Sequence, residues 1–255
     1  MFPEIIDVHC HPFLNVQENS ALSRYGGPET PEEFVNELRR AGITKACGSV
    51  IKRIDGTDFE EVRRLNDSAV SFALMFPDFF IPGIHIHTLF PDESCREIER
   101  MHAKGVRLVG ELVPYMMGYS NYAVRDAFPV YELMQQLGMI LNIHPTNDRD
   151  LEMLMREFPH LTVIVAHPQE KEEYEAHLGR MARYANAYLD ISGTGLFRNS
   201  LLRYGIDQVG KERFLLGTDY PICNPAMQIH GVMYERLSDS EKEAILSKNF
   251  LDLMV

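Results

Sequence analysis

The segment Ile5-Ile6-Asp7-Val8-His9-Cys10-His11-Pro12 decides how this chain is read. It is a short apolar run that ends in two histidines one residue apart. In a β-strand residues i and i+2 point to the same face, so His9 and His11 project together and Cys10 turns away. Two neutral imidazoles side by side make half of a metal site. The plainer alternative is a hydrogen-bonded histidine pair, and the segment by itself favours neither. Pro12 has no N–H for a ladder, so the strand stops about there.

Seven more apolar runs follow: Ile43–Ile51, Phe79–His87, Val106–Val113, Met139–His144, Leu161–His167, Ala187–Ser192 and Phe214–Asp219. Helical signals fill the gaps. Thr30-Pro31-Glu32-Glu33 is a capping box with proline at the first helical position. Asp58–Met75 carries Val62, Leu65, Ala69 and Phe72 at helical spacing. Glu93–Lys104, Ala127–Leu137, Leu151–Phe158, Glu170–Tyr184 and Leu196–Tyr204 follow, and Ser238-Asp239-Ser240-Glu241 caps a last helix toward Leu246. Near-continuous apolar strands suit a parallel sheet buried on both faces. Eight strand–helix units predict an α/β fold, a (β/α)8 TIM barrel, with one domain over residues 1–255.

The bulk numbers set limits. A net charge of −12 disfavours nucleic acid and anionic membrane as partners. Four scattered cysteines without CxxC spacing suit reduced thiols, no apolar run is long enough to span a membrane, and no signal peptide is visible, so the expected place is the cytoplasm. A small-molecule substrate is expected, and self-association into a homo-oligomer stays open.

The histidines carry most of the information. Six of the ten (His9, His11, His85, His87, His144, His167) stand at or near the ends of apolar runs. Run four contains Glu111 and run eight ends in Asp219. Barrel enzymes build their sites at these carboxyl ends. His9, His11, His144 and Asp219 supply the donors a mononuclear site needs, with His167 beside them as a base or further ligand. Each residue alone has an ordinary explanation, as a helix cap or a satisfied core histidine. Together they point to a divalent metal.

In this pattern the chain resembles the amidohydrolase superfamily. "FLLGTDYP" (Phe214–Pro221), "LNIHP" (Leu141–Pro145), "VIVAHP" (Val163–Pro168) and the closing "KNFLDLM" (Lys248–Met254) are similar to the amidohydrolase-related group that includes the aminocarboxymuconate-semialdehyde decarboxylase-like proteins. The resemblance implies that His9, His11, His144 and Asp219 bind one or two ions, zinc foremost, and that His167 and Asp219 are catalytic. His167-Pro168-Gln169 departs from the group's frequent H-x-G. Glu111 is not universal in it, and stands either as a bridge between two metals, with His167 on the second, or as a hydrogen bonder. The activity implied is metal-dependent hydrolysis of an amide, ester or lactone bond in a small carboxylate-bearing molecule. Non-oxidative decarboxylation on the same ligands is the first alternative, and a TatD-like nuclease the second. Arg53, Arg125 and Arg198 are candidate carboxylate clamps, and Tyr115 and His87 candidate substrate contacts.

Overall fold

The computed structural model describes residues 2, 4–19, 21 and 25–255. Eight parallel strands occur in chain order around one sheet. They are β1 (Ile6–Cys10), β2 (Lys45–Gly48), β3 (Phe80–Ile84), β4 (Leu108–Leu112), β5 (Ile140–Ile143), β6 (Thr162–Val165), β7 (Ala187–Asp190) and β8 (Phe214–Leu215). Each lies inside one of the eight apolar runs.

The sheet closes on itself. Val8 N donates to Leu216 O at 2.8 Å, and His11 N donates to Tyr220 O at 2.8 Å. The buried Asp7 carboxylate reinforces the seam by accepting from Thr218 N at 2.9 Å and Thr218 Oγ1 at 2.5 Å. The architecture is a (β/α)8 TIM barrel.

The helices that follow are α1 (Pro31–Arg40), α2 (Phe59–Met75), α3 (Pro91–His102), α4 (Pro114–Met117), α5 (Phe128–Gln136), α6 (Asp148–Glu157), α7 (Lys171–Arg183), α8 (Leu201–Val209), α9 (Pro225–Tyr234), α10 (Asp239–Glu243) and α11 (Asn249–Leu253). Thr30 caps α1 by accepting from Glu33 N at 3.2 Å, while Glu33 turns back to Glu29 N rather than to Thr30. Ser238 and Glu241 form the complete reciprocal box. The helix expected over Leu196–Tyr204 starts later, at Leu201, because Leu196–Ser200 folds as an irregular turn. Helix α9 escaped the periodicity argument, although Asn224 caps it and Pro225 opens it.

The apolar residues divide into an outer layer between strands and helices and a smaller cluster drawn from around the barrel. Ile6, Val8, Leu108, Ile140, Ile164 and Leu215 of that cluster pack with Phe250 of α11. Among the described residues no helix is long and apolar enough to cross a membrane, and the four cysteines are unpaired.

Phe250 is 2% exposed, so truncating it leaves a void under the barrel. Phe250→Ala is expected to lower the unfolding free energy by about 3–5 kcal/mol. Equilibrium denaturation measures this, and a loss under about 1 kcal/mol would show that α11 is not part of the core.

Candidate metal centre

The site residues sit where the ladder ends. Strand β6 stops at Val165 and β8 at Leu215, so His167 and Asp219 lie on the loops above them. Both take left-handed backbone, at φ 64° and 60°. A histidine or aspartate is rarely held there without a reason, and such strain clusters at working sites. Breaks in strand register fall between Asp7 and Cys10 on β1 and between Val109 and Leu112 on β4. They flank His9 and Glu111, and breaks of this kind re-aim a side chain.

Glu111 is at the centre. Its Oε2 lies 3.3 Å from His9 Nε2 and 3.5 Å from His11 Nε2. Its Oε1 lies 2.8 Å from His144 Nδ1 and 3.4 Å from His167 Nε2. Asp219 Oδ1 completes the first group, 3.4 Å from His11 Nε2 and 3.8 Å from His9 Nε2.

The tautomers are fixed from behind. His9 Nδ1 donates to Asp190 Oδ2 at 3.1 Å, and His11 Nδ1 donates to the Ser49 carbonyl at 3.2 Å. In their neutral forms the two Nε2 atoms, 3.3 Å apart, therefore turn lone pairs toward each other and toward two carboxylates. Four such donors repel unless a cation stands among them. Donors that share an ion at about 2.1 Å in tetrahedral geometry lie about 3.4 Å apart, close to the 3.3–3.8 Å that separate the His9, His11 and Asp219 donors and to the 3.3 and 3.5 Å from Glu111 to the two histidines. The residues present fit a divalent ion.

Without an ion, protons take its place. Burial opposes a charge on His9, but Glu111 and Asp190 outweigh it and raise the imidazole well above its usual range. Burial likewise opposes His11, yet Asp219 and Glu111 push it up to about 9. For Glu111 burial favours the neutral acid, and the surrounding histidines hold it well below the usual carboxylate range.

Asp190 and Ser192 are the residues that sequence reasoning missed. The Ser192 hydroxyl donates to Asp190 and accepts from His167 Nδ1 at 3.0 Å. Asp190 also accepts from Asn142 Nδ2 at 2.9 Å. One buried carboxylate thus orients His9 directly and His167 through a hydroxyl. The signal available was the polar Asp190 at the end of run seven, the position held by ligands in the other runs.

The donors open into a cavity of about 410 Å³. His11, Glu111, His144, His167 and Asp219 line it, and Ile51, Val113, Tyr115, Met116 and Ile222 form apolar walls. Tyr115 is where the sequence placed it. His87 is not in the cavity, because its ring is spent on backbone. Its Nε2 donates to Met117 O at 2.8 Å, and its Nδ1 accepts from Leu89 N at 3.2 Å. His85 is similarly tied to Val50 O at 2.9 Å. The three arginines also lie outside the lining. Arg53 donates to Tyr115 O at 3.0 Å, Arg125 is exposed on a 3-10 turn, and Arg198 binds Glu170 and the Gln169 carbonyl.

The sequence matches a family model described as Amidohydrolase over residues 6–250. No curated protein matches it. Among solved structures, 2,6-dihydroxybenzoate decarboxylase from Rhizobium is similar, with a TM-score of 0.77, 16% identity and 99% of each chain covered. The 5-carboxyvanillate decarboxylase of Sphingomonas paucimobilis gives 0.72 at 16% identity, covering 98% of each chain. A dihydroxybenzoic acid decarboxylase from Polaromonas sp., with bound manganese and the inhibitor 2-nitroresorcinol, gives 0.75 at 16% identity, covering 99% of this chain and 97% of that one. At these identities the likeness is one of fold.

Two outcomes follow from the geometry. An ion entering at pH 7 must displace protons, so calorimetry in buffers of different ionisation enthalpy should show proton release and an affinity that falls as the pH is lowered. Uptake of an ion with no proton release would contradict the donor set. Asp190→Asn is expected to weaken manganese affinity about 10- to 100-fold while the fold persists by circular dichroism. Unchanged affinity would remove Asp190 from the site.

Proposed function

This chain belongs to the amidohydrolase family, and from that premise we propose that it is a metal-dependent, non-oxidative decarboxylase of a small ring-bearing carboxylic acid. The observation that carries the proposal is the lining of the cavity. Histidine and carboxylate donors share the lining with apolar side chains, and among the described residues no lysine or arginine takes part. A guanidinium clamp would stabilise the carboxylate that has to be lost and so oppose its departure. The same lack of cations, with the net charge of −12, speaks against a polyphosphate substrate. The names of the similar decarboxylases support the class.

His9, His11, Glu111 and Asp219 would hold the ion, while His144, expected from the sequence as a ligand, places its Nδ1 2.8 Å from Glu111 Oε1. Imidazole and carboxylate donors without thiolate suit zinc or manganese, and the similar Polaromonas structure holds manganese. A divalent cation held there would draw negative charge from the substrate. Ile51, Val113 and Met116 offer the ring an apolar surface. With one ion bound, His167 keeps a proton on Nε2 beside Glu111, its Nδ1 donating to Ser192. It delivers that proton to the ring carbon bearing the carboxylate. The bond to the carboxylate then breaks, its electron pair restores the ring, and carbon dioxide leaves.

One observation favours a second reading. The two oxygens of Glu111 face different histidine pairs, as a carboxylate bridging two ions would. His144 and His167 then become ligands, and hydrolysis of an ester or lactone follows. Metal-loaded protein should release carbon dioxide from a hydroxybenzoate panel with one ion per chain, and His167→Asn should lower kcat by about 10²–10⁴. Hydrolysis of lactones with two ions per chain and no carbon dioxide would overturn the proposal in favour of the second reading.

A further inference from the structure

The metal-site cavity adjoins a second cavity of about 280 Å³, and Gly193 and Cys223 line both. Leu196, Phe197, Met227 and Gly231 supply its apolar lining, with the amides of Asn224 and Gln228. Both amides are committed to the walls. Asn224 Oδ1 accepts from Ala226 N at 3.0 Å, and Gln228 Nε2 donates to Gly193 O at 3.0 Å. Among the described residues no charged side chain lines this space.

The wall shared by the two cavities includes a residue that cannot be larger. A Cβ on Gly193 would lie 2.4 Å from His167 Nδ1, and its φ is +60°. At the far wall a Cβ on Gly231 would lie 2.9 Å from Leu196, so that leucine rests directly on the backbone of α9. Phe197 and Met227 are 69% and 65% exposed, yet Phe197 is pinned by the Arg198 guanidinium at 4.5 Å from its ring centre. Large apolar side chains held in place at the edge of a polar site mark a surface that a ligand covers. The first cavity alone is at the low end of the roughly 300–1,000 Å³ of ligand sites, and the second is below it; a ligand that occupied both would have a site well inside that range.

We propose that this second cavity is a substrate subsite, and that it takes an uncharged apolar substituent, an alkyl chain or second aryl ring, on an acid whose head group lies at the metal centre. The proposal rests on a metal-held head group as given under the proposed function, and it does not depend on which bond is broken.

A series of n-alkyl hydroxamic acids, from acetohydroxamic to hexanohydroxamic acid, tests it on the manganese-loaded protein by calorimetric Kd. Affinity should rise with chain length by up to about fourfold per methylene. Gly231→Val, which drives Leu196 into the subsite, should flatten the series, with acetohydroxamic acid as internal reference. Met227→Glu, at an exposed position with little effect on folding, should flatten it too. A flat series with acetohydroxamic acid bound overturns the subsite alone, as does a slope that survives both variants. No binding by any member overturns the subsite and the metal-held head group together. A rising series without carbon dioxide release from any acid leaves the subsite standing and removes only decarboxylation.

Discussion

The structure depends on one buried carboxylate. Glu111 lies among the rings of His9, His11, His144 and His167, with Asp219 beside the first pair. A carboxylate stripped of water is stable only where positive charge replaces the lost hydration. Imidazoles can supply that charge only by holding protons, or by turning lone pairs to a shared cation. The fixed tautomers of His9 and His11 select the second arrangement once an ion is bound. The buried Asp190, the Ser49 carbonyl and the Ser192 hydroxyl all serve to hold nitrogen atoms in that orientation.

The barrel makes such a gathering affordable. Its outer layer and the cluster around Phe250 provide the apolar burial, leaving the carboxyl ends of the strands free to carry polar groups. Residues beyond the end of the ladder, His167 after Val165 and Asp219 after Leu215, can lean over the barrel mouth in left-handed backbone. Gly193 and Gly217 press against His167 and His9 with no room for a Cβ. Rigid neighbours of this kind keep ligands in place without an ion and limit which side chains can take part.

Much of this was legible in the sequence. Eight apolar runs gave eight strands, because parallel strands buried on both faces must be apolar. Four of the histidines at the ends of those runs, His9, His11, His144 and His167, lie around Glu111. What was not legible came from contacts across the barrel. Asp190 lies far from His9 in sequence, and only closure of the barrel brings them together. His87 followed the same strand-end rule as the ligands, yet Met117 and Leu89 backbone groups claim its ring. The arginines after strands two and seven looked like clamps, but Arg53 and Arg198 are drawn to loop carbonyls and to Glu170. Nothing local in the sequence separates a loop residue that leans inward from one that leans out. Glu111 alone stayed open in both descriptions, since one carboxylate serves one ion or bridges two.

The central claim is that His9, His11, Glu111 and Asp219 share a cation. Anomalous diffraction from crystals grown with manganese measures this directly. The account predicts a peak about 2.0–2.2 Å from His9 Nε2, His11 Nε2, a Glu111 oxygen and an Asp219 oxygen. An ion bound elsewhere, or a site that stays protonated and empty at saturating manganese, would contradict it.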